Sequence, residues 1–249
     1  MKIRAVDLSM VPLEVPPSRR AFVQRLLDVG AARYHDRHPF HLRMNEGLLS
    51  RSELAVWAIN RYYYQQNIPR KDAAILSNMP SPEVRRRWRK RIMDQDGESA
   101  QDSGLEAWLR LVEAVGGTRE DAQDASKILP GVRFAVDAYF TFCRDNPWQD
   151  AVASSLTELF APHLHALRVE AFPKHYPWVD AQGLDYFKRR VRQAKSDVEH
   201  GLSIVLDHFD TPEREDRAVA CLTFKCELLW ALLDAIDHHC AQHAGGAAA

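Results

Sequence analysis

Two short signals fix where helices must begin. Ser81-Pro82-Glu83 and Thr211-Pro212-Glu213 each set out a hydroxyl, a proline and an acid in the order a helix N-terminus requires. The hydroxyl caps a free N–H, the proline takes the one turn where no donor is needed, and the carboxylate faces the positive end of the helix dipole. Behind Ser18, Phe22, Leu26, Leu27 and Ala31 recur at helical intervals. So do Leu105, Trp108, Leu109, Leu111 and Val112, in a stretch closed by Gly116-Gly117. Strand-like alternation bounded by hairpin signals is absent, as is any internal repeat. The chain is therefore expected to be all-α, a bundle of seven to eight helices. Residues 1–17 form an expected extended arm, 18–243 a single bundle domain, and 244–249 a flexible tail. Among the expected helices are Ser18 to about Asp36, Ser52 to a break before Pro69, Asp180 to about Phe209 and Thr211 to about Gln242. HPFH should turn the chain, and Pro173 and Pro177 should bracket a linker.

Composition narrows the function classes. A formal net charge of −1 argues against a general polyanion binder. The basic run Arg85–Arg91, six cations in seven residues, covers every side of two helical turns and reads as a mostly solvated face, so no nucleic acid is expected. Arg91 is the exception, placed to reach inward beside Trp88, with Gln95 one turn on. Cys143, Cys221, Cys226 and Cys240 have neither CxxC nor framework spacing and read as reduced core thiols. No run approaches the ~20 apolar residues of a membrane span, so a cytoplasmic protein without a membrane partner is expected.

The stretch Ser154–Arg168 concentrates polar groups on an apolar face. Glu158 and His165 stand seven residues apart, and Arg168 follows by three, among Leu156, Leu159, Phe160, Leu164 and Leu167. Pro162 should kink this helix, or break it and let it restart. Such groups are costly to bury unpaired, so an internal salt-bridged network is one reading. Other helices repeat the theme. Arg61, Tyr64 and Gln65 fall at i, i+3 and i+4, with Lys71 beyond Pro69, while Tyr186 and Arg190 form an i, i+4 pair. Lys225 lies in an apolar run, where it either snorkels outward or meets an anion inside. His35, His38 and His41 recur every three residues, and two of the three are expected at the surface or in a turn.

Together Arg61, Lys71, Arg91, Arg168, Arg190 and Lys225 would form a cationic pocket for a small ligand with several carboxylates. His35, His165 and the tyrosines could then move protons. A metal site is the competing reading, because Glu158 and His165 have the spacing of two ligands from one helix of a di-iron bundle. The chain lacks the further acids and the ExxH pair that such a site needs, and arginines repel metal cations.

RYHDRHPFH, NRYYYQQNIPRKDAAI, LPGVRFAVDAYF, SSLTELFAPHLHALR, HYPW and DVEHGL, in this order and across almost the whole chain, closely resemble the pyrroloquinoline-quinone synthase family. The resemblance implies a fold like haem oxygenase and the TenA-type proteins, forming a homodimer. It implies ring closure and eight-electron oxidation of a tricarboxylate precursor, with dioxygen as co-substrate, hydrogen peroxide and the quinone as products, and no metal or organic cofactor. By position it implies His35, Arg61, Tyr64, Gln65, Lys71 and Arg91 as ligand contacts. Tyr139, Thr157, His165, Arg168, Tyr186, Arg190 and Lys225 are implied for binding, oxygen handling or proton transfer, with Glu158 as a supporting partner. One position departs: where the family carries histidine between two aspartates in RIMDQDG, this chain has Gln95. Glutamine keeps hydrogen bonding but does not titrate, so a late oxidation step should slow or change. A carrier of the quinone on the same fold and a metal-dependent oxygenase are the alternatives.

Overall fold

The computed structural model describes residues 8–243, apart from the side chains of Met10, Ala194 and Lys195. Eleven α-helices and no strand are found among the described residues: α1 (Arg20–Arg33), α2 (Pro39–Glu46), α3 (Arg51–Asn78), α4 (Pro82–Asp96), α5 (Gly104–Ala114), α6 (Arg119–Gln123), α7 (Pro130–Asp145), α8 (Trp148–Ser154), α9 (Ala161–His175), α10 (Asp185–His208) and α11 (Pro212–His243). The all-α class stands. The helices outnumber the expected seven to eight partly because HPFH opens α2 instead of turning the chain. His38 Nδ1 accepts from the Phe40 N–H and caps that helix.

Local chemistry explains the other departures. Ser50, not Ser52, starts α3: its hydroxyl accepts from the Glu53 N–H while Glu53 Oε2 accepts from the Ser50 N–H at 2.7 Å. α3 then runs through Pro69 without stopping. A mid-helix proline costs roughly 3 kcal/mol. The buried face carrying Trp57, Ala58, Tyr62 and Ile75, packed against α4, α5 and α7, offsets it. α9 likewise continues through Pro173 to His175, so no linker begins there. The helix expected from Asp180 begins as a 3-10 turn, Ala181–Leu184, and becomes α10 at Asp185.

α11 packs on α1, α7 and α8, while α10 lies along α8 and α9. Trp57 and Trp108 join α3 to α5 with ring centroids 5.5 Å apart, and Trp108 Nε1 donates to the Ala58 carbonyl at 2.9 Å. Gly30 lets α1 meet the segment before α9, since a Cβ there would lie 2.1 Å from the Phe160 ring. That close approach brings Tyr34 and His35 beside α9. Of the expected arm, residues 1–7 lie outside the described residues. Its remainder lies on the bundle, with Val15 buried and Leu8, Val11 and Leu13 against the core. The expected tail, 244–249, lies outside the described residues as well. No described helix is long and apolar enough to cross a membrane, and all four cysteines are buried free thiols.

Candidate active site

α3, α4, α9, α10 and the turn before α2 line a common cavity. Among the expected site residues, His35, Arg61, Tyr64, Gln65, Arg91, Gln95, Thr157, His165, Arg168, Tyr186 and Arg190 line it. Lys71, Tyr139 and Lys225 do not. Lys71 and Tyr139 line a narrow adjoining space that shares Tyr64 with the cavity. Lys225 Nζ sits 3.2 Å from the Tyr139 ring centroid and 4.3 Å from that of Tyr64. It therefore neither snorkels nor meets an acid, and holds to two phenol faces.

At Pro162 the stretch Ser154–Arg168 takes the second of its two expected forms, a break and a restart. Ser155–Leu159 is a 3-10 turn, and α9 restarts at Ala161 with Pro162 in its first turn. Glu158 and His165 thus occupy different elements, not two turns of one face. Glu158 instead bridges two arginines, accepting from Arg91 Nη1 at 2.9 Å and from Arg190 Nη2 at 3.1 Å. Arg190 also meets Asp197 at 3.2 Å. Burial would raise the Glu158 carboxyl, but Arg91, Arg190 and Lys71 hold it at about 2. Asp197, buried beside that negative charge, is pushed up to about 6. Lys71 pairs with Asp72 at 2.6 Å. Three of the six expected cations are therefore neutralised inside the protein.

The other three are not. Arg61, Arg168 and Lys225 form no ion pair with any described residue. Arg61 lies 3.9 Å from the Tyr64 ring centroid, and Arg168 lies 5.1 Å from Trp57 and 5.2 Å from Phe187. Arg61 Nη1, Arg168 Nε and Lys225 Nζ are buried donors without a partner. Burial, then Arg61, pulls the Arg168 guanidinium down to about 9, and burial with Lys71 and Arg61 nearby lowers the Lys225 ammonium well below its usual value.

The imidazoles respond to the same field. His35 and His38 stand in the turn before α2, as expected of two of the three histidines, but none is at the surface: His35, His38 and His41 are all buried. His38 bonds Asp234 at 3.1 Å, away from the cavity lining. His35 and His165 each leave a buried Nδ1 unpartnered. Burial comes first, then His41, Arg61 and Arg168 for His35 and Arg168, Arg190 and Arg61 for His165, and both fall well below 6.5. Both rings are neutral at ordinary pH, and an entering anion that cancelled the arginine charge would make them better bases. Tyr186 donates to Gln65 Oε1 at 2.8 Å, between Trp108 and His165. Gln95 is buried against Gly104, where a Cβ would stand 2.7 Å from its Oε1, and that oxygen is unpartnered. Tyr34 and Asp72 line the cavity without having been singled out, and Asp197 lines it as well. Tyr34 and Asp72 adjoin His35 and Lys71 in sequence, which was the signal available.

The donor set suits anions better than metal. Among the described residues no three His, Cys, Asp or Glu side chains cluster as metal ligands, and both Glu158 oxygens are held by arginine.

The model of the TENA/THI-4/PQQC family matches residues 23–235. A protein named pyrroloquinoline-quinone synthase from Pseudomonas aeruginosa (strain LESB58) is 52% identical over 219 residues, covering 88% of this chain and 87% of that protein. One of the same name from Acinetobacter baumannii (strain ACICU) is 52% identical over 215 residues, 86% of this chain and 85% of that protein. Two solved structures share the fold. A TenA homolog from Pseudomonas syringae pv. tomato superposes with TM-score 0.72 at 12% identity, over 88% of this chain and 93% of that one. A domain with a heme oxygenase-like fold from Shewanella denitrificans gives 0.72 at 14%, over 95% and 97%.

Proposed function

Since this chain belongs to the TENA/THI-4/PQQC family, we propose that it makes pyrroloquinoline quinone, closing the ring of a tricarboxylate precursor and oxidising it by eight electrons with dioxygen. The observation that carries this reading is the set of unpaired cations. Arg61 and Arg168 face the cavity, and Lys225 stands behind its Tyr64 wall, all without an acid partner. A triply negative guest supplies the missing anions. Arg91 and Arg190, braced by Glu158, would fix its orientation.

In this reading a bound quinol passes electrons to oxygen directly, and peroxide leaves as a product. No metal or organic cofactor is required. The protein's part is to time proton removal and to stabilise developing anions. Carboxylates beside Arg61 and Arg168 offset their pull on His165 and His35, so the imidazoles gain basicity when the ligand is seated. Gln65 Oε1 holds the Tyr186 hydroxyl at 2.8 Å and so fixes its orientation beside His165. Gln95 can donate a hydrogen bond to a reduced oxygen species but not a proton, which slows a late oxidation. The enzyme would work in the cytoplasm as a homodimer.

Anaerobic mixing with the precursor, followed by air, tests the reading. Quinone and peroxide should form with metal-free protein. Binding without either product would establish the second reading, a carrier, which Gln95 favours. Activity abolished by chelator and restored by metal would overturn the cofactorless reading.

A further inference from the structure

Arg168 is a buried guanidinium whose one side-chain hydrogen bond is to a neutral ring. Its Nη2 lies 2.9 Å from His41 Nε2, and His41 Nδ1 lies 2.9 Å from the His35 carbonyl oxygen. Guanidinium has no acceptor and a carbonyl has no donor. The two contacts therefore settle the tautomer: Nδ1 carries the proton and gives it to the His35 carbonyl, and bare Nε2 accepts from Arg168. A second proton on His41 would point N–H against N–H. Trp57 and Phe187 hold the remaining sides of the guanidinium by their faces. Glu158 and Asp197 do the opposite for Arg91 and Arg190, setting two carboxyl groups against two guanidinium groups.

We propose that His41, which does not line the cavity, is a positioning residue. It fixes the aim of Arg168 with a neutral acceptor so that the whole positive charge of Arg168 remains available to a ligand carboxylate. An acid in this place would hold the arginine equally well but would draw its charge away from the ligand. The field of Arg168 and Arg61, after burial, keeps His41 neutral, in line with this role. The inference rests on the tricarboxylate reading of the cavity and assigns the part behind it.

The amide isosteres separate the two hydrogen bonds of the ring. His41→Gln carries an acceptor to the position of Nε2, whereas His41→Asn reaches only the position of Nδ1. Calorimetric titration with pyrroloquinoline quinone, per folded protein, should give His41→Gln an affinity within about threefold of the parent. His41→Asn should bind roughly tenfold or more weakly. Nitrogen-15 spectra of the parent should show His41 protonated at Nδ1 and bare at Nε2 from neutral to mildly acid pH. Equal affinity of the two variants, or the opposite tautomer, overturns the proposal. A parent that does not bind the quinone defeats the tricarboxylate reading instead, and the tautomer then still tests whether His41 presents an acceptor to Arg168.

Discussion

The cavity has two walls of opposite electrostatic design. On one, Arg91 and Arg190 and, in the adjoining space, Lys71 are each matched by Glu158, Asp197 or Asp72. On the other, Arg61, Arg168 and, behind Tyr64, Lys225 meet only aromatic faces and a neutral histidine. Buried charge is tolerated when paired and costly when not. The matched wall therefore answers to folding. The unmatched wall holds charge that folding does not use, and under the function proposed above the carboxylates of the ligand would be its counter-ions.

Removing an acid from the matched wall gives the largest expected effect. Glu158→Gln leaves two arginines short of an anion and should lower stability by roughly 3–5 kcal/mol, read from the urea midpoint. Lys225→Met should do the reverse. Taking a partnerless ammonium out of the core raises stability by roughly 1–3 kcal/mol while it weakens quinone binding, and a lower melting temperature contradicts the division into walls.

Acid titration separates the walls by sign. His35, His41 and His165 are held below 6.5, so the unfolded chain binds protons there that the folded chain does not. Their stabilisation is complete above about pH 6.5 and falls as pH drops, by roughly 1.4 kcal/mol per imidazole per pH unit. Asp197 runs the other way. Raised to about 6, its folded-state protonation favours folding at low pH, and that advantage is lost as pH rises from about 4 through 6. Asp197→Asn should therefore steepen the acid loss between pH 4 and 6, and an unchanged slope would remove Asp197 from the account. The smallest effect is kinetic. Gln95→His should speed the late oxidation seen after air is admitted and leave quinone affinity within about threefold.

The helices were legible where caps and apolar spacing agreed, as at Pro82 and Pro212, because those signals are local. Prolines misled where tertiary packing outweighed them. Pro69 and Pro173 stay within helices, whereas Pro162 does mark a break and restart, in the first turn of α9. The site was legible as a list of cationic and phenolic residues on apolar faces. Its division into walls was not, since Glu158 lies 67 positions from Arg91 and 32 from Arg190, and spacing cannot show such pairs. The histidine pattern was legible in part. Two of the three imidazoles were expected at the surface or in a turn, and His35 and His38 do stand in a turn, but their burial, and the roles of His38 as a cap and His41 as an arginine partner, come from backbone and long-range contacts.

The most direct test compares pyrroloquinoline quinone binding to the parent, to Arg61→Met, to Arg168→Met and to the surface variant Arg86→Met by calorimetry. One quinone should bind per chain, with affinity falling roughly 30-fold or more in each of the first two variants and unchanged in the third. Equal affinity across all four proteins would contradict the claim that the unmatched wall binds the ligand.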